Sequence, residues 1–251
     1  APPAAVGYMA FDYDGVRLAN PRFVEAEDGW LAIYAKPEAG VPYVTGVDTA
    51  GEGSDWNVAQ VLDNRDGRQV AVMRRAHIDE DVFARQVMAL GLYYNTALIG
   101  VETNFSTYPA MELERLRYPR QYVRETVDNY THAVRPSYGV RTDGKSRPVM
   151  IAGLIAAVRE DTGRFYDRAT LEEMLTFVRD ERGRPEAQQG AHDDCIMALA
   201  IAHYIRPQQR YERETPEAAR TVWTPDMWED WERADQAGRA YLEKRWGKPK
   251  R

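Results

Sequence analysis

Three acidic positions stand where acids are uncommon. Asp48 closes the apolar run YVTGVD, Glu102 closes ALIGVE, and Asp193 with Asp194 opens CIMALAIAHYI. The first two runs have the length and content of buried strands, and the third reads as a helix buried nearly all round. A carboxylate ending a buried element needs a partner, because desolvating it alone is costly. Mg²⁺ or Mn²⁺ is such a partner, since both are hard cations that take oxygen ligands. Two such ions roughly 3.5–4 Å apart can activate a water and stabilise the leaving oxygen of a phosphodiester. That chemistry needs carboxylates from separate elements at one point, which adjacent strand ends and a helix crossing them would supply.

Each acid also has a plainer role. Asp48 could end its strand into the Gly-rich turn at 50–53, and Glu102 could pair with an arginine. Asp193 or Asp194 could be an N-cap, which both position and residue type favour. Together these plainer roles require three independent coincidences, and a helix N-terminus also favours ionised carboxylates. His192 either joins the metal shell or simply precedes the cap. Cys195, inside the apolar run, reads as core packing. It is the one cysteine, which excludes an intramolecular disulfide and a Cys-rich zinc site, and the four histidines lack HxxxH-type spacing, so a structural zinc is not expected.

The elements that must position these acids can be read from periodicity. Residues 29–36 read as a short strand, 37–40 as a turn, and 43–48 as a strand with Val44, Gly46 and Asp48 on one face. Residues 57–62 and 68–74 form a hairpin joined by Asp-Asn-Arg-Asp-Gly. A helix is expected over 79–94, a strand over 97–102, a helix over 107–118 and a short strand near Tyr122. Helices follow over 147–161, 169–177 and 193–205, with a hairpin turn at 180–184. This order indicates an α/β fold, a mixed sheet with helices on its faces. Residues 1–28 read as an irregular linker or the remnant of an upstream domain. From Pro207 to the end the chain is charged and Trp-rich, with a helix expected over 225–246, from Thr224-Pro225 to Gly247. Trp228, Trp231, Leu242 and Trp246 would form its apolar face, making an arm that docks on the core or a partner.

With 251 residues, 44% of them apolar and 29% charged, the chain can bury a sizeable core, and no stretch approaches a membrane span. A start at Ala1-Pro2-Pro3 without a signal pattern reads as a piece of something longer that works inside a cell. The net charge of −6 opposes a nucleic-acid partner at first sight. Between Arg115 and Arg147, however, eight basic residues face three acidic ones, with tyrosines 118, 122, 130 and 138 interleaved. Such a segment could follow a phosphate backbone or could be an ordinary solvated surface.

A competing motif lies at residues 139–146, Gly-Val-Arg-Thr-Asp-Gly-Lys-Ser, which matches the phosphate-binding P-loop pattern. That pattern requires a buried strand before it, and residues 133–138 are a poor one, with Arg135 and Pro136 inside. A Gly-rich loop or hairpin is the better expectation, with Arg141, Lys145 and Arg147 as candidate contacts to DNA phosphates. Two rival functions are open. One is an ATP-binding phosphotransfer domain built on this loop, or on an actin-like loop at 48–53. The other is a non-catalytic interaction module using the Trp-rich arm.

The runs YVTGVDTAGEGSDWNVAQVL, ALIGVETN and EAQQGAHDDCIMALAIA resemble the nuclease domain of the large terminase subunit of tailed bacteriophages. The resemblance covers about residues 29–206, and its specificity lies in three motifs in order with compatible spacing. It implies a ribonuclease H-like domain over 29–206, close to the Holliday-junction resolvases, followed by a C-terminal helical arm over 207–251. It also implies a metal-dependent DNA endonuclease that cuts concatemeric viral DNA during packaging, using two divalent cations, Mg²⁺ or Mn²⁺. Carried over by motif, the first-strand acid is Asp48 and the second acidic ligand Glu102. The helix-start acid is Asp193, with Asp194 as close companion; which of the pair bridges the metals stays open. The partners implied are double-stranded DNA, an upstream ATPase motor, the portal and the small terminase subunit, in the host cell cytoplasm and without a membrane.

Overall fold

The computed structural model describes residues 1–49, 56–127, 134–180 and 183–209, with 229, 231–235, 238, 239 and 242; of 126, 127, 134 and 135 only the backbone is described. The chain divides into two units, Ala1–Arg210 and Tyr211–Arg251.

The first unit is built on a seven-stranded mixed sheet. Its strands are β1 (Ala5–Tyr13), β2 (Leu18–Glu25), β3 (Leu31–Ile33), β4 (Tyr43–Asp48), β5 (Trp56–Asp63), β6 (Arg68–Ala76) and β7 (Leu98–Val101). They lie in the order β2-β1-β3-β6-β5-β4-β7. All neighbours are antiparallel except β4 and β7, which run parallel. A parallel pair needs a crossover, supplied here by α1 (Glu80–Tyr93). On one face, Phe83, Val87 and Leu90 of α1 and Leu113 of α2 (Tyr108–Arg115) pack on Val47, Ala59, Val61 and Ile99. On the other, α3 (Ser146–Glu160) and α5 (Asp194–Ile205) cover Val44, Leu62 and Leu98. The expected sheet with helices on its faces is therefore present.

α5 lies unusually close to the sheet. Gly46 leaves no room for a Cβ, which would fall on the backbone of Ala198 and Ala202. Every residue from Cys195 to Ala202 is buried, as the all-round apolar pattern requires. Burying each large aliphatic side chain here contributes about 1.5–3 kcal/mol.

The reading of residues 1–28 as irregular is corrected: β1 and β2 form a hairpin on the outer edge of the sheet. Asp14 and Gly15 make its turn, with Gly15 at φ +92° and Asp14 Oδ1 accepting from the N–H groups of Val16 and Arg17. Pro21 is tolerated because β2 is an edge strand, where a missing donor breaks no ladder. Gln86 of α1 anchors the hairpin, donating to the Met9 carbonyl at 2.8 Å and accepting from its N–H at 3.2 Å.

Beyond β7 the chain forms a separate hairpin of β8 (Val123–Val127) and β9 (Val134–Tyr138). Helix α4 (Arg168–Thr176) precedes a second small hairpin, β10 (Phe177–Arg179) with β11 (Pro185–Ala187). Most of the helix expected over 225–246 lies outside the described residues. Within it, 229, 231–233, 238, 239 and 242 are helical, but Ala234 and Asp235 are not. The expectation of one continuous helix is corrected there, and Asp235 Oδ1 accepts from the Gly238 N–H. Among the described residues no helix is long and apolar enough to cross a membrane.

Candidate metal centre

The parallel register of β4 and β7 pairs Val47 with Val101. Asp48 and Glu102 are the next residues on each strand, so they emerge side by side at the carboxyl ends of neighbours about 4.8 Å apart. Period-2 geometry puts Asp48 with Val44 and Gly46, and Glu102 with Leu98 and Gly100, on the face that α5 covers. The close approach of α5 at Gly46 brings the start of that helix over the two strand ends. Asp48, Glu102, Asp193 and Asp194 line one cleft of about 340 Å³ with Thr49, Asn104, Thr142, Arg147 and His192. All four acids expected at the site are thus gathered in one place.

Asp48 and Glu102 are buried and share a hydrogen bond. Burial pushes the Asp48 carboxyl well above its ordinary value of 3.8, the bond and charge of Glu102 add to this, and Asp194 and Asp193 contribute further. The four carboxyls face one guanidinium: among the described residues lining the cleft, Arg147 is the sole lysine or arginine. The hydroxyls of Thr49 and Thr142 are sheltered in the cleft without a hydrogen-bond partner among the described residues. Excess negative charge and surplus oxygen donors suit a hard divalent cation. Among the described residues, however, no three acidic, histidine or cysteine side chains already stand at the spacing of a ligand set.

The start of α5 is held by bonds from two other helices. Asp193 occupies the N-cap position but makes no side-chain cap bond. Its Oδ2 accepts instead from Arg147 Nη2 at 2.7 Å. The first N–H groups of α5 are taken by Glu173 of α4, whose Oε2 accepts from Cys195 N at 2.8 Å and Ile196 N at 3.1 Å. The capping role that sequence offered to Asp193 is therefore filled from another helix. Burial raises the Glu173 carboxyl, opposed by the bonds from Cys195 and Ile196 and by the charge of Arg74. Behind it runs a buried polar strut. Gln60 donates to Thr170 Oγ1 and to the Cys195 carbonyl, and Gln69 donates to Gln60. Asp167 accepts from Thr170 and from Tyr34. Glu173 is not among the residues singled out from sequence, since nothing local links it to the start of α5.

His192 Nδ1 stands 3.5 Å from Asp194 Oδ2, at the rim of the cleft. Arg141 and Lys145 are exposed and do not line it, whereas Arg147 does. Part of the basic run from 115 to 147 is engaged internally: Arg115 pairs with Glu112 at 2.7 Å, and Arg120 donates to Gln209. Asn104 ties the cleft to the loop after β9, accepting from Thr142 N and donating to the Thr142 carbonyl. The P-loop-like segment does follow a strand and precede a helix, but β9 belongs to a peripheral hairpin and Tyr138 is exposed. Asp143 Oδ1 accepts from the N–H groups of Lys145 and Ser146, donors that a nucleotide phosphate would need. The loop at 50–55 lies outside the described residues.

No known family profile matches the sequence. Among solved structures, the fold is similar to the large terminase nuclease from thermophilic phage G20c with bound magnesium. That match is 19% identical over 79% of this chain and 92% of the other, with a TM-score of 0.54. The same nuclease with bound cobalt aligns equally well. The large terminase nuclease domain of Thermus phage P74-26 is 21% identical over 72% of this chain and 87% of its own, again at 0.54. The chain therefore has the ribonuclease H-like fold of these nucleases, and the resemblance carried by its three motifs extends to the architecture.

Proposed function

We propose that this chain is a metal-dependent endonuclease that hydrolyses phosphodiesters of double-stranded DNA, cutting concatemeric phage DNA during genome packaging. The observation that carries the reading is the convergence of Asp48, Glu102, Asp193 and Asp194 on one cleft, in a fold shared with a magnesium-bound terminase nuclease. Asp48 with Asp193 and Asp194 would hold two divalent cations, Mg²⁺ or Mn²⁺, and Glu102 would complete the shell. When bound, the ions would supply the Lewis acidity that activates water and neutralises charge on the phosphate.

The chain's own residues set the conditions for that chemistry. Burial in the cleft keeps Asp48 and Glu102 away from bulk solvent, and it raises the Asp48 carboxyl, which must be ionised to act as a ligand. Glu173 fixes the α5 terminus and thereby the position of Asp193 and Asp194. His192 stands close enough to Asp194 to orient it or to join the shell. Arg141 and Lys145, both exposed, would contact phosphates entering beside α3. With a net charge of −6, binding of DNA should be weak and salt-sensitive unless another subunit presents the substrate. We assign catalysis to residues 29–206 and partner docking to the arm from 207 onward. An ATPase motor, the portal and the small terminase subunit in the host cytoplasm are the setting we infer.

Supercoiled plasmid tests this reading. Nicking or linearisation in Mg²⁺ or Mn²⁺, lost in EDTA and in Asp48→Asn, is expected. Cleavage that persists in Asp48→Asn would overturn it.

A further inference from the structure

Arg147 is the second residue of α3 and the sole cation of fixed charge among the described residues of the acidic cleft. Its guanidinium is held at both ends. Nη2 donates to Asp193 Oδ2 at 2.7 Å, and Nη1 donates to the Pro185 carbonyl on β11, also at 2.7 Å. The side chain is 30% exposed and that of Asp193 34%, so the pair sits at the mouth of the cleft. Asp193 is thereby tied through Arg147 to α3 and β11. The four acids share the cleft, with no three of them at ligand spacing among the described residues.

We propose that Arg147 is a positioning residue, a built-in counter-ion that holds Asp193 until a divalent cation displaces it and that then turns to the substrate phosphate. The inference rests on the metal-dependent reading above and goes beyond it. A carboxylate oxygen engaged by a guanidinium can join a metal shell only if that bond is exchanged, so Arg147 and the cation compete for Asp193. Once displaced, the guanidinium remains at the edge of the same cleft with its planar fork of donors exposed, a geometry that fits phosphate oxygens. The exchange keeps charge balanced: Asp193 passes from one cation to another, and the arginine passes from a carboxylate to a phosphodiester. No further residue in the cleft could do this, because the other described lining groups carry negative or no fixed charge.

Calorimetric titration of the full chain with Mn²⁺ alone, beside plasmid cleavage, separates the possibilities. Arg147→Gln should bind Mn²⁺ about tenfold more tightly, the scale expected for losing one charge-assisted bond that competes for a ligand. The same variant should cleave at least about tenfold more slowly at saturating metal, for want of the phosphate contact. Arg147→Lys keeps the charge but cannot span Asp193 and Pro185 together, so its affinity should fall between the two. A merely structural arginine would lower affinity and cleavage together, because a loosened α3 would displace the ligands. Unchanged or weaker Mn²⁺ affinity in both variants, with wild type binding and cutting normally, would overturn the inference alone. Tighter binding with faster cleavage would also overturn it, since Arg147 would then be only a brake. Absence of Mn²⁺ binding by wild type would remove the metal-dependent reading and this inference with it.

Discussion

Replacing Glu173 by leucine should unfold the chain more easily while the glutamine variant stays near wild type. Leucine removes the acceptor for two buried N–H groups, those of Cys195 and Ile196, at the first turn of α5. Each orphaned buried donor costs about 1–3 kcal/mol. Part of that loss is offset, because ionised Glu173 is itself opposed by burial and leucine adds apolar surface to the core. The balance is a loss of about 2 kcal/mol, or about 30-fold in the folding equilibrium. With a urea slope of about 2 kcal/mol/M, the midpoint should drop by about 1 M. Glutamine retains one carbonyl acceptor and sheds the buried charge, so it should shift the midpoint by less than about 0.5 M. Urea titration at pH 7, followed by circular dichroism with unchanged slope, reads both variants. A leucine variant as stable as wild type would refute the capping role. A glutamine variant as damaged as leucine would show that the charge, rather than the acceptor, matters.

Three further outcomes follow from the same geometry. Asp48 has a carboxyl raised by burial and by Glu102, so its contribution to stability is present in acid and is lost as pH rises through the folded-state value. Asp48→Asn should therefore melt no lower than wild type in EDTA at pH 7, and a clear drop in melting temperature would make the residue structural. His203 is half-buried near Arg206 and Arg164, and burial with those charges lowers it from 6.5 to about 4. Its neutral form is the one that fits, so stability held above about pH 6.5 should erode as pH falls toward 4, by about 2 kcal/mol after allowing for exposure. His203→Phe should lack that loss in urea titrations between those pH values; an identical pH profile would contradict it. Gly46→Ala would press a methyl into the backbone of Ala198 and Ala202, destabilising by about 1–3 kcal/mol and lifting the α5 terminus from Asp48. An unchanged melting temperature would show that α5 can shift without penalty.

Much of the site could be read from residues because it depends on local pattern. Strand periodicity gives the face of Asp48, Glu102 is legible as the end of its strand, and the apolar run after Asp194 marks a helix that has to lie on the sheet. The long-range links were hidden. Glu173 looks like a solvated surface acid until α4 is folded against the start of α5. Arg147 reads from sequence as a candidate phosphate contact beside a Gly-rich loop, and only the tertiary arrangement shows its bond to Asp193. The β1–β2 hairpin was legible in principle, since Asp14-Gly15 is a turn signal, but Pro21 and Asn20 disguised an edge strand as a linker. The P-loop match shows the converse: a local pattern can be complete while Asp143 already takes the donors that would define its function.

The central claim is that the four acids gather divalent cations in one cleft. Crystals soaked in Mn²⁺ and measured near the manganese absorption edge test it most directly. The account predicts two anomalous peaks roughly 3.5–4 Å apart, bounded by Asp48, Glu102 and the start of α5. Manganese bound elsewhere, with no peak within reach of Asp48, would contradict it.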